Sequence, residues 1–177
     1  MEFWFSEFHT PDVKHSIRVN KQLYSKQSDY QRIDIFETPE FGRVLTLDGN
    51  VMLTERDEFI YDEMIVHVPM AVHKQAKDIL VIGAGDGGVV RELTRYDRVE
   101  RIDLVEMDPQ VVEACRAFLP SNACRMTAGC TSILRTPSSI SAAARRSTTS
   151  SSWTPPIPSA HPRVCSPASS TAAASTP

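Results

Sequence analysis

The sequence predicts an α/β chain in which a small antiparallel β module precedes the first part of a doubly wound parallel sheet, with a disordered tail behind it. Three features carry that expectation. Alternating runs broken by turn residues extend from about His15 to Leu53; an apolar strand ending in glycines, DILVIGAGDGG, is echoed by RIDLVEMD, each with a helical pattern after it; and no acid follows Glu113. The expected parts are 1–54 (β-hairpin module), 55–125 (truncated doubly wound domain) and 126–177 (tail).

From about His15 to Leu53 the runs SIRVNKQLY, YQRIDIFET and GRVLTLDGNVML alternate in the manner of paired strands, with Pro39, Gly42 and Asp48-Gly49 as turn signals. Thr54 stands three residues before Asp57, a start resembling a capping box. Ile60, Met64, Val68 and Val72 then recur at every fourth position, the spacing of one helical ridge. A helix over about Asp57 to His73 is expected.

DILVI is a short buried strand, VVRELTRY reads as a helix, and RIDLVEMD is a second strand. Asp108 and Pro109 close that strand as an N-cap and first-turn pair for the helix QVVEACRAFL. This β-α-β-α order opens a Rossmann-like sheet, which needs further strands that the residues after Pro120 do not supply.

The net charge of −3 averages two unlike halves, since the last Lys is Lys77 and the stretch from Met126 to Pro177 has one aromatic residue, Trp153, among Ser, Thr, Ala and Pro. Such a stretch has too little apolar surface to offset the entropy of ordering it, so disorder is expected. Its arginines lack interleaved aromatics and make a poor nucleic-acid surface. Cys115, Cys124, Cys130 and Cys165 form no C-x-x-C pair, which points to isolated thiols rather than a metal site or disulfide framework. The opening MEFWFSEFHTPDVKH has acids and no long apolar run, so neither a signal peptide nor a membrane span is expected, and the compartment read from it is the cytoplasm.

Gly83, Gly85 and Gly88 form G-x-G-x-x-G between a strand and a helix, and Glu106 ends the next strand at the spacing a nucleotide-binding pattern requires. The glycines let backbone approach a ligand, and Glu106 is placed to accept hydrogen bonds from ribose hydroxyls. Asp86 selects among nucleotides. A dinucleotide puts pyrophosphate at this loop, where a carboxylate would repel it; an adenosyl sulfonium offers adenosine to Glu106 and positive charge to Asp86. The loop therefore argues for an adenosylmethionine-like compound over NAD. Helix capping is the plainer role for Asp86, and the two are compatible.

The stretches LTLDGNVMLTERDEFIYDEM, ILVIGAGDGGVVRELTRY and LVEMDPQVVEACRAFLP, in that order, closely resemble the spermidine synthase (polyamine aminopropyltransferase) family over nearly all of Met1 to Pro120. The resemblance implies transfer of an aminopropyl group from decarboxylated S-adenosylmethionine to putrescine, giving spermidine and methylthioadenosine, with no metal or prosthetic group. It implies that Gln31 and Glu106 contact the adenosine side with the loop glycines, that Tyr61 and Asp62 line an amine channel, and that Asp86 lies between the sulfonium and the amine. It also implies a homo-oligomer, dimer or tetramer. Position 62 is more often His or Gln in the family, so Asp62 leaves the amine preference open. Bottom-up chemistry agrees: putrescine is a dication that calls for acids, and its attack on the carbon beside sulfur needs a carboxylate base. His67 and His73 ride the helix and take no role.

The family's general base belongs to a D-[ST]-[ST]-D-P segment that this sequence lacks, so no catalytic residue is assigned. A one-base shift of reading frame near Cys124 and Arg125 accounts for the departure. Read one base earlier, Met126-Thr127 and Trp153-Thr154 each force the Asp codon GAC, and permitted choices elsewhere turn Arg146 to Pro158 into EEYDLIIVDSTDP. The chain as written is then expected to be inactive. Two other functions fit parts of the sequence: an S-adenosylmethionine-dependent methyltransferase, which shares the glycine loop and Glu106 but not the hairpin module or ERDEFIYDEM, and a non-catalytic fragment that joins intact subunits.

Overall fold

A computed structural model describes residues 2–119; the readings of 126–177, disorder and frame shift alike, lie outside the described residues. Six strands come first: β1 (Phe3–Thr10), β2 (Val13–Val19), β3 (Lys21–Gln27), β4 (Arg32–Thr38), β5 (Gly42–Leu47) and β6 (Asn50–Thr54). Then follow α1 (Glu58–Val72), β7 (Asp78–Ile82), α2 (Gly88–Leu93), β8 (Arg101–Val105) and α3 (Pro109–Phe118). β1 and β2 form an antiparallel hairpin, β3 to β6 a four-stranded antiparallel sheet in sequence order, and β7 and β8 a parallel pair. The architecture is the expected one, a small antiparallel module followed by a Rossmann-like region.

β1 is an addition to what the sequence suggested. Its residues pair with β2 from Phe3 opposite Val19 to Phe8 opposite Lys14, and the Phe5 ring lies 5.2 Å from that of Phe36 on β4, which ties the hairpin to the larger sheet. The run SIRVNKQLY, read as one strand, is two: Asn20 separates β2 from β3 and donates its N–H to Glu37 O at 2.8 Å.

Two apolar clusters organise the chain. In the first, Ile33, Ile35 and Leu45 of the antiparallel sheet meet Val111, Ala114, Cys115 and Leu119. The strand residues alternate and the helix residues recur at three- and four-residue spacing, so each element shows one face to the other. In the second, Val66 and Met70 of α1 and Val89, Val90 and Leu93 of α2 cover Val81, Ile102 and Leu104 of the parallel pair. α3 therefore links the β module to the αβ region.

The helix expected from Asp57 to His73 is α1, but it turns a different ridge inward. Ile60, Met64, Val68 and Val72 are 52 to 83% exposed, whereas Asp62, Val66 and Met70 are buried. The two ridges are offset by two residues, about 200° around the axis at 3.6 residues per turn. Thr54 and Asp57 do interact, yet not as a capping box: the Thr54 hydroxyl bonds Asp57 Oδ1 at 2.6 Å, and Asp57 makes no side-chain bond to the helix start. Asp108 caps α3 as expected, accepting the Gln110 N–H at 3.0 Å with Pro109 in the first turn.

Candidate functional site: the glycine loop and its carboxylates

β7 runs into its loop through Gly83, whose N–H donates to Val105 O at 2.8 Å and so fastens the loop to the end of β8. Gly83 (φ +81), Ala84 (φ 59) and Gly87 (φ 92) all lie in the left-handed region, which glycine occupies without the penalty that a Cβ brings. Gly87, the N-cap of α2, falls outside the three spaced glycines of the motif, so spacing alone does not single it out.

Gly85 and Gly88 serve close approach instead. A Cβ on Gly85 would sit 2.9 Å from Glu106 Oε2, and one on Gly88 would sit 1.8 Å from Asp62 Oδ2. The missing side chains thus make room for two carboxylates, one at each side of the loop.

Glu106 ties the loop to the end of β8 by hydrogen bonding to backbone. Its Oε2 accepts the Gly85 N–H at 3.1 Å, and its Oε1 accepts the N–H groups of Met107 at 2.8 Å and Asp108 at 3.1 Å. A carboxylate has about four acceptor positions, so capacity remains for a ribose hydroxyl. Behind it Asp108 is fully buried. Its Oδ2 takes the Ser28 hydroxyl at 2.6 Å and the Gln31 amide at 3.2 Å. Gln31, expected on the adenosine side, is therefore anchored two residues from Glu106, and the β3–β4 turn is docked onto the start of α3.

Asp86 lies beside the Gly88 N–H but is not the cap of α2, which is Gly87, and its Oδ1 is buried with no hydrogen-bond partner. Burial pushes its carboxyl up to about 6; the Gly88 N–H opposes that, Glu58 and Glu106 add to it, and Arg91 opposes it. A buried carboxylate oxygen without a donor is costly unless something positive meets it.

Asp62 is 3% exposed and joins Glu58 and Arg91 beneath the loop rather than facing open solvent. Arg91 forks onto Glu58 at 2.9 and 2.8 Å and stands 3.6 Å from Asp62 Oδ2. Burial first, then hydrogen bonding to Glu58 and the charges of Asp86 and Glu58, push the Asp62 carboxyl up to about 9 against the pull of Arg91. At neutral pH it is protonated and donates to Glu58. Burial raises Glu58 too, but its bonds from Arg91 and Asp62 outweigh that and leave it below its ordinary value. Tyr61, 57% exposed, lies close enough to Asp62 and Asp86 that, after burial, their charges raise its hydroxyl.

A carboxyl raised on folding contributes most below its unfolded value, near 3.8, and that contribution is lost as pH rises through the folded value, about 6 for Asp86 and about 9 for Asp62. Asp62→Asn keeps a donor toward Glu58 and does not titrate. Urea unfolding at a series of pH values is expected to show wild-type stability declining up to pH ~9, and the Asn variant flat above pH ~6; an unchanged slope between those values would contradict the assignment.

Cys115, on α3, is buried, and burial followed by the nearby charges of Asp86 and Glu106 pushes its thiol well above the ordinary range, which leaves it unreactive. Among the described residues no helix is long and apolar enough to cross a membrane.

Residues 3–55 match the family model described as the spermidine synthase tetramerisation domain, and residues 58–136 match that of the spermine/spermidine synthase domain. The second match runs past Arg125, where the motifs read from the sequence end. A polyamine aminopropyltransferase of Clostridium botulinum (strain Alaska E43 / Type E3) is 62% identical over 126 residues, 71% of this chain and 44% of that protein. One of Lachnospira eligens is 59% identical over 123 residues, 70% of this chain and 43% of that protein. The chain thus spans less than half the length of these relatives. Spermidine synthase from Thermotoga maritima is similar in structure, with a TM-score of 0.73 and 44% identity over 75% of this chain and 47% of that one. A spermidine synthase in complex with the transition state analogue AdoDATO has the same TM-score and identity over 75% of this chain and 46% of that one. With the loop, its carboxylates and both matches in agreement, residues 3–136 belong to the spermidine synthase family of polyamine aminopropyltransferases.

Proposed function

We propose that these residues form the adenosyl-binding part of an aminopropyltransferase that moves an aminopropyl group from decarboxylated S-adenosylmethionine to putrescine. The observation that carries this reading is the unpartnered, buried Oδ1 of Asp86 inside the glycine loop. A phosphate there would meet like charge, while a sulfonium would supply the missing counter-charge. Glu106 takes the ribose, with Gln31 beside it on the adenosine side and the close-approach glycines admitting the nucleoside. Tyr61 and Asp62 flank the approach of the amine.

Proximity and in-line geometry supply much of the acceleration in such a displacement, and a base must take the amine proton. No Asp or Glu follows Glu113 within these 177 residues, so they do not themselves contain the family's general-base segment, and loss of a positioned base costs ~100- to 10,000-fold. The chain as written is therefore read as a binder of the adenosyl compound with little or no turnover. Phe3, Trp4 and Phe8, 56 to 65% exposed on the β1–β2 hairpin, together with the match of residues 3–55, support self-association through the β module.

Calorimetric titration of the 177-residue chain tests the reading. Decarboxylated S-adenosylmethionine is expected to bind and NAD is not; binding of NAD in preference would overturn the assignment.

A further inference from the structure

We propose that α1 and α2 carry a site for a divalent transition-metal ion of the zinc type, formed by Glu63, His67 and Glu92, separate from the glycine loop and its chemistry. Glu63 and His67 are four residues apart on α1 and so share a face, and Glu92 meets them from the last turn of α2. One ligand atom from each lies within 4.8 Å of the others. His67 Nε2 and Glu92 Oε2 are 3.3 Å apart, which is the separation of two ligands on a tetrahedral zinc with bonds of about 2.0 to 2.1 Å.

A second observation singles out the same point. Glu92 is fully buried, yet its Oε2 accepts no hydrogen bond, so the Nε2 of His67 sits beside that oxygen without aiming a proton at it. The ring is oriented from its other side, where Nδ1 bonds the Tyr96 hydroxyl at 2.7 Å. With the proton on Nδ1, donated to Tyr96, the Nε2 lone pair is left as a ligand, the arrangement by which metal-bound imidazoles are fixed. One imidazole and two carboxylates suit zinc and its neighbours better than magnesium or calcium, which prefer oxygen alone, and they leave a fourth position for water.

Two arginines also reach Glu92. Arg91 Nε donates to Oε1 at 2.9 Å. Arg95 Nε stands 3.0 Å from Oε2, and its side chain is 58% exposed. Its guanidinium is the competitor for the cation's place, and withdrawal into water costs an exposed side chain little. A bound ion would then clamp α1 to α2 beside the Glu58, Asp62 and Arg91 cluster, to which Arg91 joins Glu92.

The test is titration of the metal-stripped 177-residue chain with zinc chloride, followed by calorimetry and by the melting temperature, with cobalt(II) absorption as a report on coordination. The expected result is one ion per chain and a melting temperature that rises with zinc. His67→Gln and, separately, the half-buried Glu63→Gln should each lower affinity more than about tenfold, and Tyr96→Phe, which removes only the orienting hydroxyl, by about tenfold. Arg95→Ala should tighten binding. The inference is overturned if the wild-type chain takes up no zinc, if both Gln variants bind as it does because other histidines or cysteines hold the ion, or if Arg95→Ala leaves affinity unchanged. Glu63→Gln keeps the comparison open should His67→Gln misfold.

Discussion

Asp86→Asn is expected to weaken the binding of decarboxylated S-adenosylmethionine by about 10- to 100-fold, the range that a charge-assisted contact of ~1.5 to 3 kcal/mol spans, while neutral methylthioadenosine binds within about twofold of wild type. The two ligands share the nucleoside and differ in charge at sulfur. The amide keeps the shape of the carboxylate and an oxygen that can accept the Gly88 N–H, so the loop should persist and only the counter-charge is removed. The pH profile separates this from a loss of loop structure. Only ionised Asp86 attracts the cation, and its carboxyl sits at about 6, so wild-type affinity should be level above that pH and fall about tenfold per unit below it. The Asn variant should show no such fall. Equal weakening of both ligands would mean that Asp86 merely holds the loop.

What the sequence made legible is what short-range rules determine. The glycines before α2, the Asp108-Pro109 start of α3 and the alternation in β4 and β5 each specify a local conformation within a few residues, and the structure contains all of them. α1 shows where that logic stops. Its every-fourth pattern exists twice, as Ile60, Met64, Val68 and Val72 and as Asp62, Val66 and Met70; the more apolar set reads as the natural core, yet the second set is buried. The choice depends on what α1 packs against, and an acid at the head of the buried ridge is acceptable only because Glu58, Arg91 and the protonated state of Asp62 compensate it. Of these, Arg91 and Glu58 are themselves 33 residues apart in sequence. The bond from Ser28 to Asp108 spans 80 residues and is likewise invisible to spacing. β1 is not legible in the sequence because a hairpin partner, rather than its own acid-containing pattern, makes Phe3 to Thr10 a strand.

Gly88→Ala should be the most damaging single methyl in the αβ region, and Asp62 is the reason. The new Cβ would lie 1.8 Å from Oδ2 and 2.6 Å from Cγ of Asp62, so something must move. Asp62 has no solvent to swing into at 3% exposure, and displacement breaks its bond to Glu58 while shifting Arg91. Overpacking alone costs ~1 to 3 kcal/mol, and disruption of the buried network adds to it, so a loss of at least about 3 kcal/mol is expected. Asp62→Ala by itself also destabilises, by removing packed atoms and leaving a gap beside Gly88. Combined, the two changes should partly cancel, because the methyl of one fills the space vacated by the other. Urea unfolding of the wild type, both single variants and the double variant gives the coupling directly; it is expected to be at least about 1 kcal/mol in favour of the double variant. Simple additivity would show that the carboxylate of Asp62 does not occupy the space that Gly88 leaves, and with it would go the claim that this glycine exists to seat an acid beneath the loop.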